Sequence, residues 1–246
     1  MPTRRWRYEA EANTAWTLSR DWLAQTYRDT DSLRLLDVGA FDGVFLNSLA
    51  EKWSRFAVEP SADARTRLEA MGISVIDHWL KAPRSGDAET FDVVTLFDVF
   101  EHLRQPGRGL ADAFAYVKPG GHLIVSTGNA EHWTFRWLRG EHWYFHALQH
   151  LTIGGGQFFR NWAEHHQGHI VYQARHPHIP ARYSARCWRT MESLTWGGLR
   201  RPGYRIFSKL ALRMAPLRHL RHRTTGPYAP ELADHLCVII RKESHS

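Results

Sequence analysis

The chain has 246 residues, 43% of them apolar, and a formal net charge of +7. That is enough apolar material for one domain with an elaboration, and it excludes wholesale disorder. Cys187 and Cys237 stand alone without a CxxC or metal-ligand spacing, so two reduced thiols in a cytoplasmic protein are expected rather than a disulfide framework.

The opening Met-Pro-Thr-Arg-Arg-Trp-Arg has no apolar run behind it, so no cleaved signal peptide is expected. No window reaches the ~18 consecutive apolar residues of a membrane span. The positive charge is uneven. Residues 176–233 hold eleven Lys/Arg against two Glu, a local +9 that leaves −2 for the rest. The excess is therefore a property of one segment.

Residues 7–28 carry Trp16, Leu18, Trp22, Leu23 and Tyr27 at helical spacing, which predicts an amphipathic helix within an N-terminal cap over 1–32. Leu33, Leu35, Leu36 and Val38 then form a short apolar run closed by Gly39, the pattern of a buried strand ending in a tight turn. Gly39 and Gly43 allow the backbone to approach a ligand closely. Apolar residues resume at helical spacing from Val44 to Ala50.

The next apolar run, Arg55-Phe-Ala-Val-Glu-Pro, ends at Glu59. An acid about 20 residues after a glycine turn can accept both hydroxyls of a ribose. The third glycine of a pyrophosphate-binding turn is missing, while Asp37 and Asp42 flank the turn. Two carboxylates repel a pyrophosphate and suit a cation. The spacing therefore points to a nucleoside bearing a sulfonium and an amino group, S-adenosylmethionine.

Pro60 and Ser61 start a predicted helix that runs to Met71 and stops at Gly72. Ile73–Ile76 is a third strand, and 83–90 a polar loop. Phe91–Phe97 is apolar enough for a central strand and ends at Asp98, Glu101 and His102. A helix from Pro106 to Tyr116 leads through Lys118-Pro-Gly-Gly to a fifth strand, His122–Thr127. Residues 129–152 are dense in aromatics and histidines. His142, His146 and His150 stand four apart, so a helix would stack them on one face.

A helix over 154–167 and a sixth strand over 169–174 follow, and Leu236–Ile240 is a final β-branched run. Within 176–233, Tyr204 to Leu220 places Phe207, Leu210, Met214 and Leu217 on one face and Arg205, Lys209 and Arg213 on another, with Pro216 to kink or divide it. A basic amphipathic helix predicts peripheral contact of 204–221 with an anionic membrane. A cap on the core or a dimer contact are the other readings. No RNA-binding module appears, so nucleic acid is not an expected partner, and the oligomeric state is left open.

Four motifs now carry a resemblance. Leu35-Leu-Asp-Val-Gly-Ala-Phe-Asp-Gly is similar to motif I of the class I S-adenosylmethionine-dependent methyltransferases, and Ala57-Val-Glu-Pro-Ser to their second-strand acidic motif. Phe91-Asp-Val-Val-Thr-Leu-Phe-Asp-Val-Phe-Glu-His-Leu resembles their fourth strand and its loop, and Val117-Lys-Pro-Gly-Gly-His-Leu-Ile-Val-Ser-Thr the turn into strand five. The resemblance spans 33–175, in the type 11/12/23-like subgroup related to ubiquinone-pathway O-methyltransferases.

It implies an α/β, Rossmann-like fold with a seven-stranded sheet of order 3-2-1-4-5-7-6 and helices on both faces. The core would be 33–175 and 234–246, and 176–233 a basic insertion between strands 6 and 7. The resemblance also implies S-adenosylmethionine as cofactor and S-adenosylhomocysteine as product. Asp37, Gly39, Ala40, Phe41 and Gly43 would surround the methionine portion, Glu59 and Pro60 the ribose, and Trp79 and Leu80 the adenine, with Phe97 and Asp98 beside them. Phe41 departs from the small or polar residue usual there and could crowd the methionine tail.

Methyl transfer from a sulfonium needs alignment, worth ~7–11 kcal/mol. For a hydroxyl acceptor it also needs a base, worth ~10²–10⁴-fold, for which histidine is suited. His102 is the first candidate by its motif. His150, with Leu151 matching a His-Leu pair in the subgroup, is the second. Asp98, Glu101 and His102 form D-x-x-E-H, similar to the metal-binding E-x-x-E-H of ubiquinone-pathway and small-RNA-end O-methyltransferases; a cofactor-lining role without metal is the main expectation.

Trp133, Trp143, Tyr144 and His146 are expected around the substrate, or as core of the cap. The favoured activity is O-methylation of a glycan, lipid-linked sugar or polar secondary metabolite. Metal-assisted methylation of a quinone-type or small aromatic acceptor is the alternative, and a non-catalytic cofactor-binding partner subunit the rival of another class. The expected location is cytoplasmic, peripheral to the inner membrane face.

Overall fold

The computed structural model describes residues 13–146 and 149–244. Seven strands form one sheet of order β3-β2-β1-β4-β5-β7-β6: β1 Leu33–Val38, β2 Trp53–Val58, β3 Ser74–Asp77, β4 Phe91–Phe97, β5 Val117–Gly128, β6 Gly168–His176 and β7 His235–Lys242. β1 to β5 pair in parallel, and β7 runs antiparallel to both of its neighbours. The central strands read as continuous apolar runs because both sheet faces are covered.

On one face Leu36, Leu96 and Leu123 pack against Leu110 and Phe114 of α4 (Pro106–Ala115) and Phe159 and Trp162 of α6 (Gly156–His165). On the other, Leu35, Val93 and Ile124 meet Leu23 of α1 (Thr14–Thr26), Phe45 of α2 (Val44–Asn47) and Leu68 of α3 (Ala62–Ala70). The chain leaves β1 toward β2 and β3, then crosses back to lay β4 on the other side of β1. Such a switch point opens a crevice at the carboxyl ends of the strands, where open α/β sheets bind ligands.

Expectation and structure differ in several places. The helix after Gly43 is one turn, not a run to Ala50: Ser48 Oγ donates back to the Phe45 carbonyl at 2.7 Å and competes with continuation. The N-terminal helix begins at Thr14, its N-terminal amide capped by the Asn13 side chain; residues 7–12 of that expectation lie outside the described residues.

His142, His146 and His150 do not share a helix face. α5 (Trp133–Leu138) stops where Arg139 adopts φ 54°, and two 3-10 turns, Arg139–Glu141 and Trp143–His146, follow. Tyr204–Leu220 is divided, as expected of a stretch holding Pro216. Helix α8 (Arg205–Ala211) is separated by extended Met214 from a 3-10 stretch, Ala215–His222, that contains Pro216.

Between β6 and β7, α7 (Tyr183–Leu199) lies on α5, and Trp137 Nε1 donates to the Ser193 carbonyl at 3.1 Å. Leu138, Trp196, Leu212, Leu217 and Leu220 make a separate small core there. Leu217 is therefore buried, while Ile206, Phe207, Leu210 and Met214 stay exposed. Among the described residues no helix is long and apolar enough to cross a membrane.

Candidate active site

The turn after β1 is built by backbone geometry that few side chains tolerate. Gly39 sits at φ 78°, and a Cβ there would lie 2.6 Å from Val99 Cγ2. Its N–H donates to the Val58 carbonyl at 2.8 Å, tying the turn to β2. Phe41, also at positive φ, donates its N–H to Glu59 Oε2 at 2.8 Å, and Ser61 N–H donates to Glu59 Oε1 at 2.8 Å. Glu59 is buried with each oxygen holding one N–H, and a carboxylate has lone pairs left for two further donors.

Two cavities meet at this turn. One, of about 800 Å³, is lined by Glu59, Pro60, Trp79 and Leu80. The other, of about 670 Å³, is lined by Asp37, Ala40, Trp143, Tyr144, His150, His178 and Tyr228. Gly39, Phe41, Phe97, Asp98, His102 and Gln149 border both. The cavities therefore share one wall; the second, the candidate acceptor cavity, also holds Asp37 and Ala40, expected around the methionine portion.

The donor set of the first cavity fits an adenosyl cofactor: a buried diol-accepting carboxylate, a glycine a methyl group would fill, and Trp79 and Leu80 as apolar walls. Of the expected cofactor residues Gly43 lines neither cavity. Its φ of 72° starts α2, and a Cβ there would lie 2.7 Å from Leu68 Cδ2, so its part is in the turn itself.

Asp37, near the end of β1 and on the wall of the second cavity, is buried and accepts a 2.6 Å hydrogen bond from Thr95 Oγ1. Burial, reinforced by nearby Glu59, lifts its carboxyl to about 7 despite that bond. A cation bound above it would restore the ionised form.

The second cavity carries two histidines with their tautomers set. His102 Nδ1 lies 3.0 Å from the Gln149 carbonyl, and His150 Nδ1 lies 2.6 Å from the Tyr144 carbonyl. A carbonyl can only accept, so each Nδ1 carries the proton and each Nε2 presents a lone pair. Burial moves His150 below its ordinary value, only partly opposed by Glu101, which keeps it neutral near pH 7. The two rings are 5.0 Å apart.

Glu101 is fully buried and accepts from Tyr144 O–H at 2.6 Å and from Thr127 Oγ1 at 2.9 Å. Burial and the nearby Asp98 charge raise its carboxyl. The Tyr144 oxygen in turn accepts the Gly128 N–H at 3.0 Å.

Trp143 and Tyr144 line the acceptor cavity, whereas Trp133 and His146 line neither. Trp133, the first residue of α5, lies against its N-cap His132, and exposed His146 lies 3.3 Å from the Glu141 carbonyl. His142 is buried, stacked on Phe135 at 3.9 Å. The D-x-x-E-H run is split: Asp98 groups with His178 and His235, while Glu101 and His102 group with His150. His178, Tyr228 and His235 escaped sequence reasoning because they come from the 176–233 segment and the first residue of β7; a His-x-His at 176–178 and an Asp-His at 234–235 were the available signals.

A family model described as a methyltransferase domain matches residues 3–173. Ubiquinone biosynthesis O-methyltransferase of Vibrio parahaemolyticus serotype O3:K6 is 29% identical over 139 residues, 52% of this chain and 59% of that protein. The enzyme of the same name from Serratia proteamaculans is 30% identical over 111 residues, 42% of this chain and 45% of its own length. The chain thus spans about half the length of the curated relatives it matches.

Among solved structures, YcgJ from Bacillus subtilis aligns with TM-score 0.55 at 12% identity, covering 94% of this chain and 99% of that one. The CMeT domain of the citrinin polyketide synthase aligns with TM-score 0.54 at 12% identity, covering 94% and 52%. Identities this low bear on the fold alone.

Proposed function

The chain belongs to the class I S-adenosylmethionine-dependent methyltransferases, and from that premise we propose that it methylates a hydroxyl oxygen, with His150 as the base. The observation that carries this reading is His150 itself: its Nδ1 is committed to the Tyr144 carbonyl and its ring borders the acceptor cavity.

When bound, S-adenosylmethionine supplies a methyl group already activated by the sulfonium. The chain's own residues do the rest. Glu59 holds the ribose diol, and ionised Asp37 offsets the cofactor's positive charge. His150 Nε2 takes the acceptor's hydroxyl proton as the oxygen attacks. His102, on the border of both cavities, stands beside that proton path. Trp143, Tyr144 and Tyr228 give a ring-shaped acceptor flat surfaces to lie on.

For the acceptor we favour a glycan, a lipid-linked sugar or a polar secondary metabolite. The membrane-facing part of this reading rests on 205–214, where Ile206, Phe207, Leu210 and Met214 are exposed beside Arg205, Lys209 and Arg213. A second reading, a quinone-type or other aromatic acceptor, is favoured by the curated relatives, which are named for ubiquinone biosynthesis.

The test has two arms. Cells lacking the gene are compared with complemented cells by metabolite and glycan mass analysis, and the purified chain is given labelled S-adenosylmethionine with panels of sugars and phenols. A species one methylene lighter in the deletion and a matching labelled product support O-methylation. Ordinary binding of S-adenosylhomocysteine with no product from any panel or extract would instead make the chain a cofactor-binding partner subunit.

A further inference from the structure

The geometry points to a binding site for a divalent transition-metal ion held by Asp98, His178 and His235, at the inner wall of the acceptor cavity. These residues come from the end of β4, the start of the 176–233 segment and the first position of β7. Each offers one nitrogen or oxygen, and the three atoms lie within 4.8 Å of one another. Asp98 Oδ2 and His178 Nδ1 are 3.9 Å apart. That is too long for a hydrogen bond and within the ~4.2 Å that two ligands at ~2.1 Å can span across one ion.

The second, independent observation is on His235. It is fully buried, and its Nδ1 donates to Asp234 Oδ1 at 2.9 Å. Its Nε2 has no hydrogen-bond partner. Buried polar atoms are satisfied in roughly nine cases of ten or more, so an orphan beside a carboxylate and a second imidazole asks for a ligand. In the neutral ring that an ion requires, Asp234 keeps the proton on Nδ1, the arrangement by which a carboxylate orients a metal-binding histidine. Asp234 is itself held by Trp143 Nε1 at 3.1 Å.

The neighbouring trio Glu101, His102 and His150 is committed otherwise. Both Glu101 oxygens already accept hydrogen bonds, from Tyr144 and Thr127, and His150 is the proposed base. Two imidazoles and one carboxylate suit zinc, iron or cobalt rather than magnesium or calcium. Three protein ligands leave a position open, and Asp98 and His178 both border the acceptor cavity. There the ion holds an oxygen of the acceptor; this role rests on the O-methylation reading, whereas ion binding does not.

The test uses the untagged full chain, stripped with a chelator and titrated with Zn²⁺ by calorimetry and with Co²⁺ by visible absorption. One ion per chain with cobalt ligand-field bands is expected. His178→Asn, at a partly exposed position, should abolish saturable binding, and Asp234→Asn should weaken it about 10–100-fold. His150→Ala should leave ion binding intact. No saturable binding by the wild type, binding unchanged in His178→Asn, or binding lost in His150→Ala overturns the site. S-adenosylhomocysteine is titrated in parallel. Cofactor binding without ion binding sinks only this inference, and ion binding without cofactor binding sinks only the methyl-transfer reading.

Discussion

His150 Nδ1 lies 2.6 Å from the carbonyl of Tyr144, whose ring packs 4.1 Å from the imidazole. One residue thus sets the tautomer and the orientation of the candidate base, and anchors both through its hydroxyl to buried Glu101. His150→Ala should therefore lower kcat by ~10²–10⁴-fold while S-adenosylhomocysteine binds as in wild type. Single-turnover rates and calorimetry separate the two. Because burial holds His150 below 6.5, the acid limb of kcat should also fall below pH 6.5. Unchanged kcat in the variant would remove His150 from the mechanism.

Asp37 should couple cofactor binding to protons. Its carboxyl stands at about 7 in the folded chain against ~3.9 in the unfolded one. Between those values the folded state holds the extra proton, so stability falls as pH rises from about 4 to about 7. A cationic ligand favours the ionised form, so affinity for S-adenosylmethionine should rise as pH rises through about 7, with a proton released on binding. Denaturant titrations at several pH values, and calorimetry in buffers of different ionisation heat, read the two effects. Asp37→Asn should flatten both.

Gly39→Ala meets two separate obstacles, the positive φ and the Val99 methyl 2.6 Å from the new Cβ. The backbone term costs ~1–2 kcal/mol, and movement of Val99 disturbs the wall of the cofactor cavity. The variant should lose both thermal stability and cofactor affinity. Adding Val99→Ala should recover part of the affinity and little of the stability. Full recovery of both would mean that φ imposes no strain.

The exposed apolar residues of α8 predict binding to anionic vesicles that weakens with salt. Phe207, with 71% of its surface exposed, has little folded-state packing to lose, so Phe207→Ser should reduce vesicle cosedimentation without lowering the melting temperature. No binding to phosphatidylglycerol-rich vesicles at low salt would end the interfacial reading.

The strands and the glycine turn were legible along the chain because their signals are local. Strand runs and a tight glycine turn are dictated by backbone sterics and burial over a few neighbouring residues. Gly39, Glu59 and Phe91–Phe97 stand where spacing puts them. The histidines at 142, 146 and 150 misled, since their four-residue spacing presumes a helix that Arg139 ends. His142 is instead drawn to Thr134 at 3.0 Å, with Asp234 3.4 Å away.

From its sequence alone, then, the chain determines a seven-stranded α/β sheet and the glycine turn at the end of its first strand. Only the tertiary structure decides the acceptor wall, where Asp98, His178 and His235 converge. Their meeting depends on β7 entering the sheet between β5 and β6, which sets His235 beside His176 and the start of the 176–233 segment. Residues that far apart in the chain leave no periodic trace; their proximity is fixed by packing.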